Sequence, residues 1–430
     1  MFKLNYIDNS SLIIFRIFLG FLLAAESFGA ILTGWVKRIF VDSTFTFNHI
    51  GFDWLQVFHG QTMYFYFIIM GILGLCVMFG FRYKWSMASF TILWFGAYLM
   101  QKEAYNNHYY LLFLICLVMC FLPANANFSL DSKQNPTIKS TRMPQWIVWI
   151  MIIQVTFVYL FSVVAKCYSG WLDGSFVNIM FSEKMQHPVF GSIFSNEYFQ
   201  TFIIYSGIVF DLLIIPLLLW KKSRNLALIL SIIFHIFNSV VLEIGIFPFF
   251  ALSFIVFFYK PKTIKNIFFK NREEHIVIKN QNHLLYYIFI PFLIIQLLLP
   301  LRHYFIEKEV LWTEEGHRLS WRMMLRFRSG SIIFKVVDLK TKQSHVYDYS
   351  AVLTPKQIEW FNNKPDAISQ MARYIKDKYQ QKDINVAIFV ESYVSINGGK
   401  YLPFINPKVD LAKAKWNYFK HNAWILPQTK

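Results

Sequence analysis

A lysine closes a long apolar run in FSVVAKCYSGWLDG (residues 161–174), where an amine can do acid–base chemistry that an exposed lysine cannot. Lys166 follows a mostly apolar stretch that begins at Trp146, and Trp171 and Asp173 come shortly after it. Desolvation favours the uncharged form of an amine, and the uncharged form is the one that accepts a proton. The plain alternative is a lysine that snorkels, keeping its stem in lipid and its ammonium in the interface. Other stretches carry groups of the same kind. EAYNNHYYL (103–111) offers Asn106, Asn107 and His108, with an ordinary helix cap as the plain reading. FDLLIIP holds Asp211 and FHIFNS holds His235, with Glu243 further along the same segment. An ionisable group inside such a segment costs about 2.5–3.5 kcal/mol on insertion scales, so it is partnered or functional. A structural hydrogen bond between helices is the other reading of Asp211 and His235. QLLLPLRHYF (296–305) and SWRMMLRFRS (320–329) bring Leu299, Arg302, His303, Arg322, Arg326 and Arg328. Guanidinium binds a planar carboxylate through two parallel hydrogen bonds, which suits an acidic substrate. A basic face against lipid head groups is the alternative. If residues 322–328 form an alternating strand, Arg322, Arg326 and Arg328 share one face. Arg16 and Glu26 in the first apolar segment read as structural.

The elements that must position these groups are membrane helices. The chain has 430 residues, 56% of them hydrophobic and 19% aromatic. Apolar runs of spanning length recur through its first two thirds, the composition of a polytopic helical membrane protein. The hydropathy pattern predicts nine spans, at 11–33, 62–81, 85–101, 108–123, 145–166, 200–220, 225–243, 245–259 and 284–303. Reading 225–259 as two helices that turn at EIGIFP keeps the basic residues on one side. Arg82, Lys84, Lys221, Lys222, Arg224 and the run from Lys260 to Arg272 then face the cytoplasm, against Lys37, Arg38, Lys102 and Lys184 outside. The N-terminus is expected inside and the C-terminus outside. The net charge of +17 has its explanation in these loops and an anionic leaflet, with no nucleic acid partner required. MFKLNYIDNSSL lacks the pattern of a cleaved signal, so the first span is expected to be retained. Cys76, Cys116, Cys120 and Cys167 lie in or beside spans and show neither a disulfide framework nor a metal-ligand spacing; Cys116 and Cys120 read as packing.

Beyond residue 303 the composition changes to that of a soluble domain, 304–430, of mixed α/β, β-sandwich-like structure. SIIFKVVDLKTKQSHVYDYS predicts two strands about a polar turn. TPKQIEWFNNKPDAISQMARYIKDKYQQ predicts helix, with a Thr cap and Pro in first position. VAIFVESYVSINGGKYLPFI predicts a hairpin with an Asn-Gly turn. The topology puts this domain outside the cell membrane, over the side on which Lys166, His108 and the arginines gather.

The motifs in combination resemble a known family. NNHYYL, AKCYSGWLDG, FDLLIIPLLL, FHIFNSVVLEIGIF, QLLLPLRHYF, SWRMMLRFRS, YVSINGGKYLPFINPKVDLAKAKW and WILPQ stand in the order and surroundings seen in the vitamin K-dependent γ-glutamyl carboxylases. The resemblance covers essentially the whole chain, residues 1–303 as a multi-pass, HTTM-like carboxylase and epoxidase domain and 304–430 as the outer domain. It implies an enzyme that oxidises vitamin K hydroquinone (phylloquinol or menaquinol) to the 2,3-epoxide with O2, and adds CO2 to the γ-carbon of glutamate side chains. No metal is implied. The partners implied are a Glu-containing protein or peptide and the membrane quinone pool.

By that resemblance Lys166 matches the base that acts on the hydroquinone, and Asn107 and His108 match the element close to the reacting quinone oxygens. His235, Asn106 and Asp211 are assigned to the cofactor. Residues 296–303, with Leu299, Arg302 and His303, match the segment associated with glutamate binding, and Arg322 and Arg326 are grouped with them. The longer C-terminal extension and the extramembrane cysteines of the animal enzymes have no counterpart here, so a grip on a propeptide is not carried over, and the chain resembles a prokaryotic-type member. Two other functions stay open on the residues: quinol oxidation without carboxylation, and a non-enzymatic membrane receptor or transporter. Absence of paired, Gly/Pro-interrupted spans weighs against transport. The charge asymmetry makes a direct prediction. A reporter fused after Lys430 is active in the extracytoplasmic compartment and one fused near Lys270 is active in the cytoplasm; the opposite result at either position overturns the orientation.

Overall fold

The computed structural model describes residues 5–242, 244–277 and 282–428; Glu243 lies outside the described residues. Among the described residues, helices corresponding to the expected spans follow one another through the first 305 residues, with shorter helices such as Ser175–Phe181 and Pro261–Phe268 in the connections, as a lipid environment requires of a chain whose backbone groups must pair within each segment. They are α1 (Ser10–Leu32), α2 (Thr62–Phe79), α3 (Tyr83–Met100), α4 (Asn107–Cys120), α5 (Trp146–Lys166), α6 (Glu197–Leu219), α7 (Arg224–Val241), α8 (Phe247–Ser253) and, as the last, the segment Asn282–Phe305. Among the described residues six of these are long and apolar enough to cross a membrane. A seventh is reached if the pair Phe247–Phe257 and Pro261–Phe268, bent by 113°, is one span. The expected count of nine spans is not reproduced by spanning length among the described residues: α4 is short, and α3 and α8 fall outside the six. The 225–259 region does break in two, with Gly245 in the left-handed region (φ 60°) at the turn.

Small residues let α1 and α2 lie against each other. A Cβ on Gly74 would fall 2.6 Å from the backbone nitrogen of Ala24, and one on Gly20 would fall 2.3 Å from that of Met78. Arg16, fully buried on α1, donates to the carbonyls of Ala124 (3.0 Å) and Phe128 (2.6 Å) and so ties the loop after α4 to the bundle. Glu26 accepts from the Tyr109 hydroxyl at 2.6 Å, joining α1 to α4.

The C-terminal domain is one antiparallel sheet rather than a sandwich of two. Its strands are β1 (Arg328–Asp338), β2 (Ser344–Val346), β3 (Val386–Ile396) and β4 (Leu402–Pro403), in the order β2-β1-β3-β4. Phe334 pairs with Val390 and Gly330 with Val394. One face, with Ile332, Phe334, Val336, Ile388 and Val390, packs on Ile368, Met371 and Ile375 of the helix Pro365–Gln380. The amphipathic helix does the work a second sheet would do. The helix Pro355–Phe361 opens with a capping box in which Thr354 and Gln357 serve each other.

The domain sits on the bundle end that carries the α1–α2, α3–α4 and α5–α6 connections. Phe45 and Phe47 from the first connection enter its core, Phe47 stacking on Phe361 at 5.7 Å. Below them Lys102, 1% exposed, donates to Asp366 at 2.9 Å, and Arg318 joins the same carboxylate at 2.7 Å. Burial alone would raise the Asp366 carboxyl, but Arg318 and Lys102 hold it below the usual carboxylate range.

One expected element is absent. Residues 318–327 are not an alternating strand; β1 begins only at Arg328. The backbone groups a strand would pair are taken by side chains of the membrane part. The Tyr105 hydroxyl accepts from Leu319 N–H (2.8 Å), Asn107 donates to the Arg322 carbonyl (3.2 Å), and the Tyr168 hydroxyl donates to the Leu325 carbonyl. Leu319, Trp321 and Met324 turn into the left-handed region to reach these partners, at φ 61°, 56° and 46°. Arg322, Arg326 and Arg328 therefore do not share a strand face.

Removal of the shared carboxylate tests what docks the domain. Asp366→Asn leaves two buried cations without a counter-charge and is expected to cost about 3–5 kcal/mol, because breaking a buried pair from one side exposes the full desolvation penalty. Chemical denaturation of the purified protein in detergent, followed by near-UV circular dichroism, reads the loss. A change under 1 kcal/mol would contradict it.

Candidate active site

Lys166 is the last residue of α5, and its side chain turns inward rather than to the interface. Nζ donates to the Asp211 carboxylate of α6 at 2.6 Å and to the Gly207 carbonyl at 3.3 Å, and it lies 5.3 Å from the centre of the Trp171 ring. Both charged residues are buried, at 8% and 6% exposure. Trp171 is fixed in turn by its indole N–H, which donates to the Ile204 carbonyl at 3.3 Å. The pairing of Lys166 with Asp211 was not legible in the sequence, although each had been singled out.

Deeper in the bundle, His235 of α7 bonds through Nε2 to the Tyr159 hydroxyl of α5 at 3.2 Å. Tyr159 lies seven residues before Lys166, about two helical turns, so His235 and Lys166 occupy different levels. Among the described residues Nδ1 of His235 has no hydrogen-bond partner, although the ring is 3% exposed. Tyr159, Ser231 and His235 are the polar members of a narrow, otherwise apolar cleft that includes Val155, Phe254 and Phe258. A second cleft is lined by Trp35, Trp94, Tyr98 and Tyr109 and lies on the α1–α3–α4 side, away from Lys166.

His108 stacks on Phe247 of α8, ring centres 3.7 Å apart, and Phe247 meets His235 edge-on at 6.2 Å. The three rings join α4, α7 and α8. Asn106 is the N-cap of α4, accepting from the Tyr109 N–H at 2.7 Å. Asn107 is held on both ends of its amide, accepting from the Tyr105 hydroxyl at 3.0 Å while donating to the Arg322 carbonyl. Of the three residues in the NNH element, His108 is the one facing the rings of the other helices.

The basic residues separate into two groups. Arg326 pairs with the buried carboxylate of Glu314, which Arg328 and Lys364 also approach at 3.4 and 3.3 Å. Burial would raise that carboxyl, yet Arg326 and Lys364 hold it well below its ordinary range. Arg302 donates to the Arg318 carbonyl at 2.7 Å, and Arg322 reaches His303 Nε2 at 3.4 Å. Neither has a carboxylate within ion-pair distance among the described residues. Burial draws the Arg322 guanidinium down to about 10, so it stays charged at neutral pH. Leu299, half-buried in the last membrane segment, carries no polar group to this cluster. Glu314, Tyr159, Trp171 and Tyr105 are members of the site that sequence reasoning passed over; a tyrosine or tryptophan in an aromatic-rich chain carries no local mark of its partner.

Comparison with known families gives two matches. Residues 5–262 match the HTTM domain, and residues 281–430 match the vitamin K-dependent gamma-carboxylase, lumenal domain. No solved structure matches the chain.

The Lys166–Asp211 pair carries a stability signature. Lys166→Met or Asp211→Leu alone strands a charge in an apolar bundle and is expected to destabilise by about 3–5 kcal/mol, whereas the double change costs far less than their sum. A double-mutant cycle measured by unfolding in detergent tests this; additive single effects would mean that the two groups are not coupled.

Proposed function

Since the chain belongs to the vitamin K-dependent γ-glutamyl carboxylase family, we propose that it adds CO2 to the γ-carbon of glutamate side chains in a protein or peptide, coupled to oxidation of vitamin K hydroquinone to the 2,3-epoxide by O2. The observation that carries this reading is a buried amine–carboxylate pair, Lys166 with Asp211, in the membrane bundle beneath Arg302 of the last membrane segment and Arg322 of the docked domain, neither ion-paired with a carboxylate among the described residues.

The chemistry of these residues suits a quinone. A planar, mostly apolar ring with two oxygens suits an apolar cleft with few donors, and His235 has a ring nitrogen without a partner among the described residues. When bound, the hydroquinone supplies with O2 the strong base that no side chain can provide, since a C–H beside a carboxylate is far less acidic than any tuned protein group. In its deprotonated form, its own proton having been released to the extracytoplasmic solvent before the quinol binds, Lys166 takes the proton of a ring hydroxyl at Nζ. Asp211, 2.6 Å away, supplies the counter-charge for the ammonium so formed, and the Gly207 carbonyl and Trp171 ring fix its position. His108, stacked on Phe247, and His235 hold the ring oxygens from the other helices. Arg302 and Arg322 receive the substrate carboxylate, because they are the cations of the cluster that Glu314 does not engage. Residues 319–325 cover the site and exclude water. In this reading the site opens on the extracytoplasmic side, with the N-terminus in the cytoplasm, and the quinone is drawn from the membrane pool as phylloquinol or menaquinol.

The test uses purified full-length protein in lipid nanodiscs with reduced menaquinone, labelled CO2 and a short Glu peptide. Epoxide and fixed label both form with the wild type. Lys166→Met lowers epoxide formation by roughly 10²–10⁴-fold. Arg322→Gln raises the apparent KM for the peptide and leaves peptide-independent epoxidation intact. Epoxide with no fixed label would leave a quinol oxidase, and unchanged epoxidation in Lys166→Met would remove the lysine from the chemistry.

A further inference from the structure

The helix Pro261–Phe268 follows the stretch Phe247–Phe257 across a bend of 113°. Contacts on either side of it fix its level in the bundle. Just before it, the Tyr259 hydroxyl donates to the Asn225 side chain at 2.8 Å and the Arg224 guanidinium lies 5.4 Å from the Tyr259 ring, so the helix begins beside the start of α7. Ile264 is buried against Ile13 and Ile14 in the first turns of α1. Just after the helix, Phe269 meets Phe128 of the loop following α4, ring centres 4.2 Å apart, and Arg272 pairs with Asp8 ahead of α1. The starts of α1 and α7 and the loop after α4 belong to one end of the bundle, opposite the C-terminal domain. The helix lies across that end.

Around the helix the residues sort by character. Lys262, Lys265 and Asn266 lie on one side, and Ile264, Ile267 and Phe268 on the other, which is amphipathic spacing. Ile264 is buried against α1, but its neighbours on the apolar side are not covered: Ile267 is 66% exposed and Phe268 48%. Basic side chains surround them. Lys265 is taken by Glu274 at 3.0 Å and Arg272 by Asp8. Lys260, Lys262 and Lys270 are exposed and have no carboxylate within ion-pair distance among the described residues. Lysines are costly in hydrocarbon, and an exposed isoleucine and phenylalanine are costly in water. The boundary between the two media satisfies both.

We infer that Pro261–Phe268 is an interfacial helix, with Ile267 and Phe268 among the acyl chains, and that Lys260, Lys262 and Lys270 beside it form a docking surface for the head groups of anionic phospholipids. The bent pair is then not a single crossing. Charge complementarity selects the lipid. Three ammonium groups without an internal counter-ion attract a head group of net negative charge, whereas a zwitterionic head group brings its own cation. The apolar side selects an amphiphile over a soluble anion, because a free phosphate gives Ile267 and Phe268 nothing to bury against. The inference stands on this end of the bundle alone and does not depend on the quinol reading.

The experiment measures lipid binding to the full-length protein by native mass spectrometry from a non-ionic detergent, titrating phosphatidylglycerol and, separately, phosphatidylcholine with the same acyl chains. The wild type binds phosphatidylglycerol roughly tenfold more tightly, and the preference falls as ionic strength is raised. Lys260→Gln, Lys262→Gln and Lys270→Gln together remove the preference. Ile267→Ser with Phe268→Ser weakens binding of both lipids and leaves their ratio as it was. Glycerol 3-phosphate, the soluble counterpart of the head group, does not compete. If the triple variant does not fold, amine-reactive labelling of the wild type in nanodiscs carries the same comparison: Lys260, Lys262 and Lys270 react more slowly in phosphatidylglycerol than in phosphatidylcholine. Equal affinity of the wild type for the two lipids overturns the inference, as does a preference that survives in the triple variant or equal labelling in the two lipids. Competition by glycerol 3-phosphate also overturns it, since that would make the surface a site for a soluble anion.

Discussion

A charge inside a lipid-facing bundle must be compensated on the spot, and the Lys166–Asp211 pair meets that constraint. Much of the surrounding arrangement follows from it. α5 and α6 must lie close enough for a 2.6 Å contact, and Gly207, one turn before Asp211, presents its carbonyl to the same ammonium. Trp171 folds back over the pair and is itself tied to α6 through Ile204. Replacing the pair with apolar side chains would be simpler for stability alone, since buried ion pairs are often no better than well-packed hydrophobic groups. A pair at the mouth of an apolar bundle is therefore not accounted for by packing alone.

The second constraint is that the docked domain has to give up regular structure to reach the bundle. Residues 318–327 spend their backbone hydrogen bonds on Tyr105, Asn107 and Tyr168 instead of on a neighbouring strand. The left-handed residues in this stretch are strained, and the buried carboxylate of Asp366, shared by Lys102 and Arg318, holds the domain close enough to sustain them. Strap and clamp meet at Arg318, whose side chain binds Asp366 while its carbonyl accepts from Arg302.

Legibility in the sequence followed the range of the interaction. The Thr354 cap with its following Pro and the Asn-Gly turn were readable, because their signals lie within a few residues; the reciprocal bond from Gln357 that makes the cap a box was not read. Lys166, Asp211 and His235 were readable as exceptions in apolar runs. Their partners were not: Asp211 is 45 positions from Lys166 and Tyr159 is 76 from His235, and no local rule links them. Asn107 was read with His108 as chemistry, yet its amide is occupied by Tyr105 and by Arg322, 215 positions away. The alternating strand expected over 322–328 failed for the same reason, since side chains distant in sequence outbid the ladder. The second sheet of the expected sandwich is replaced by the helix Pro365–Gln380, whose buried face has helical rather than strand periodicity.

The distribution of carboxylates among the basic residues gives the site its direction. Glu314 serves Arg326, Arg328 and Lys364 together, and Asp366 serves Arg318 and Lys102. Had these acids been spread evenly, Arg302 and Arg322 would each have an internal counter-ion, and an incoming carboxylate would have to displace it at the cost of desolvating two anions. Concentrating the acids leaves the two arginines nearest the strap with only a carbonyl and an imidazole as partners. A guanidinium so placed is already partly desolvated and oriented, so a carboxylate binding there would find the ordering cost met by folding. The same folding step that bends residues 319–325 over the bundle therefore leaves Arg302 and Arg322 without a carboxylate partner among the described residues and sends Trp321 into the apolar core below.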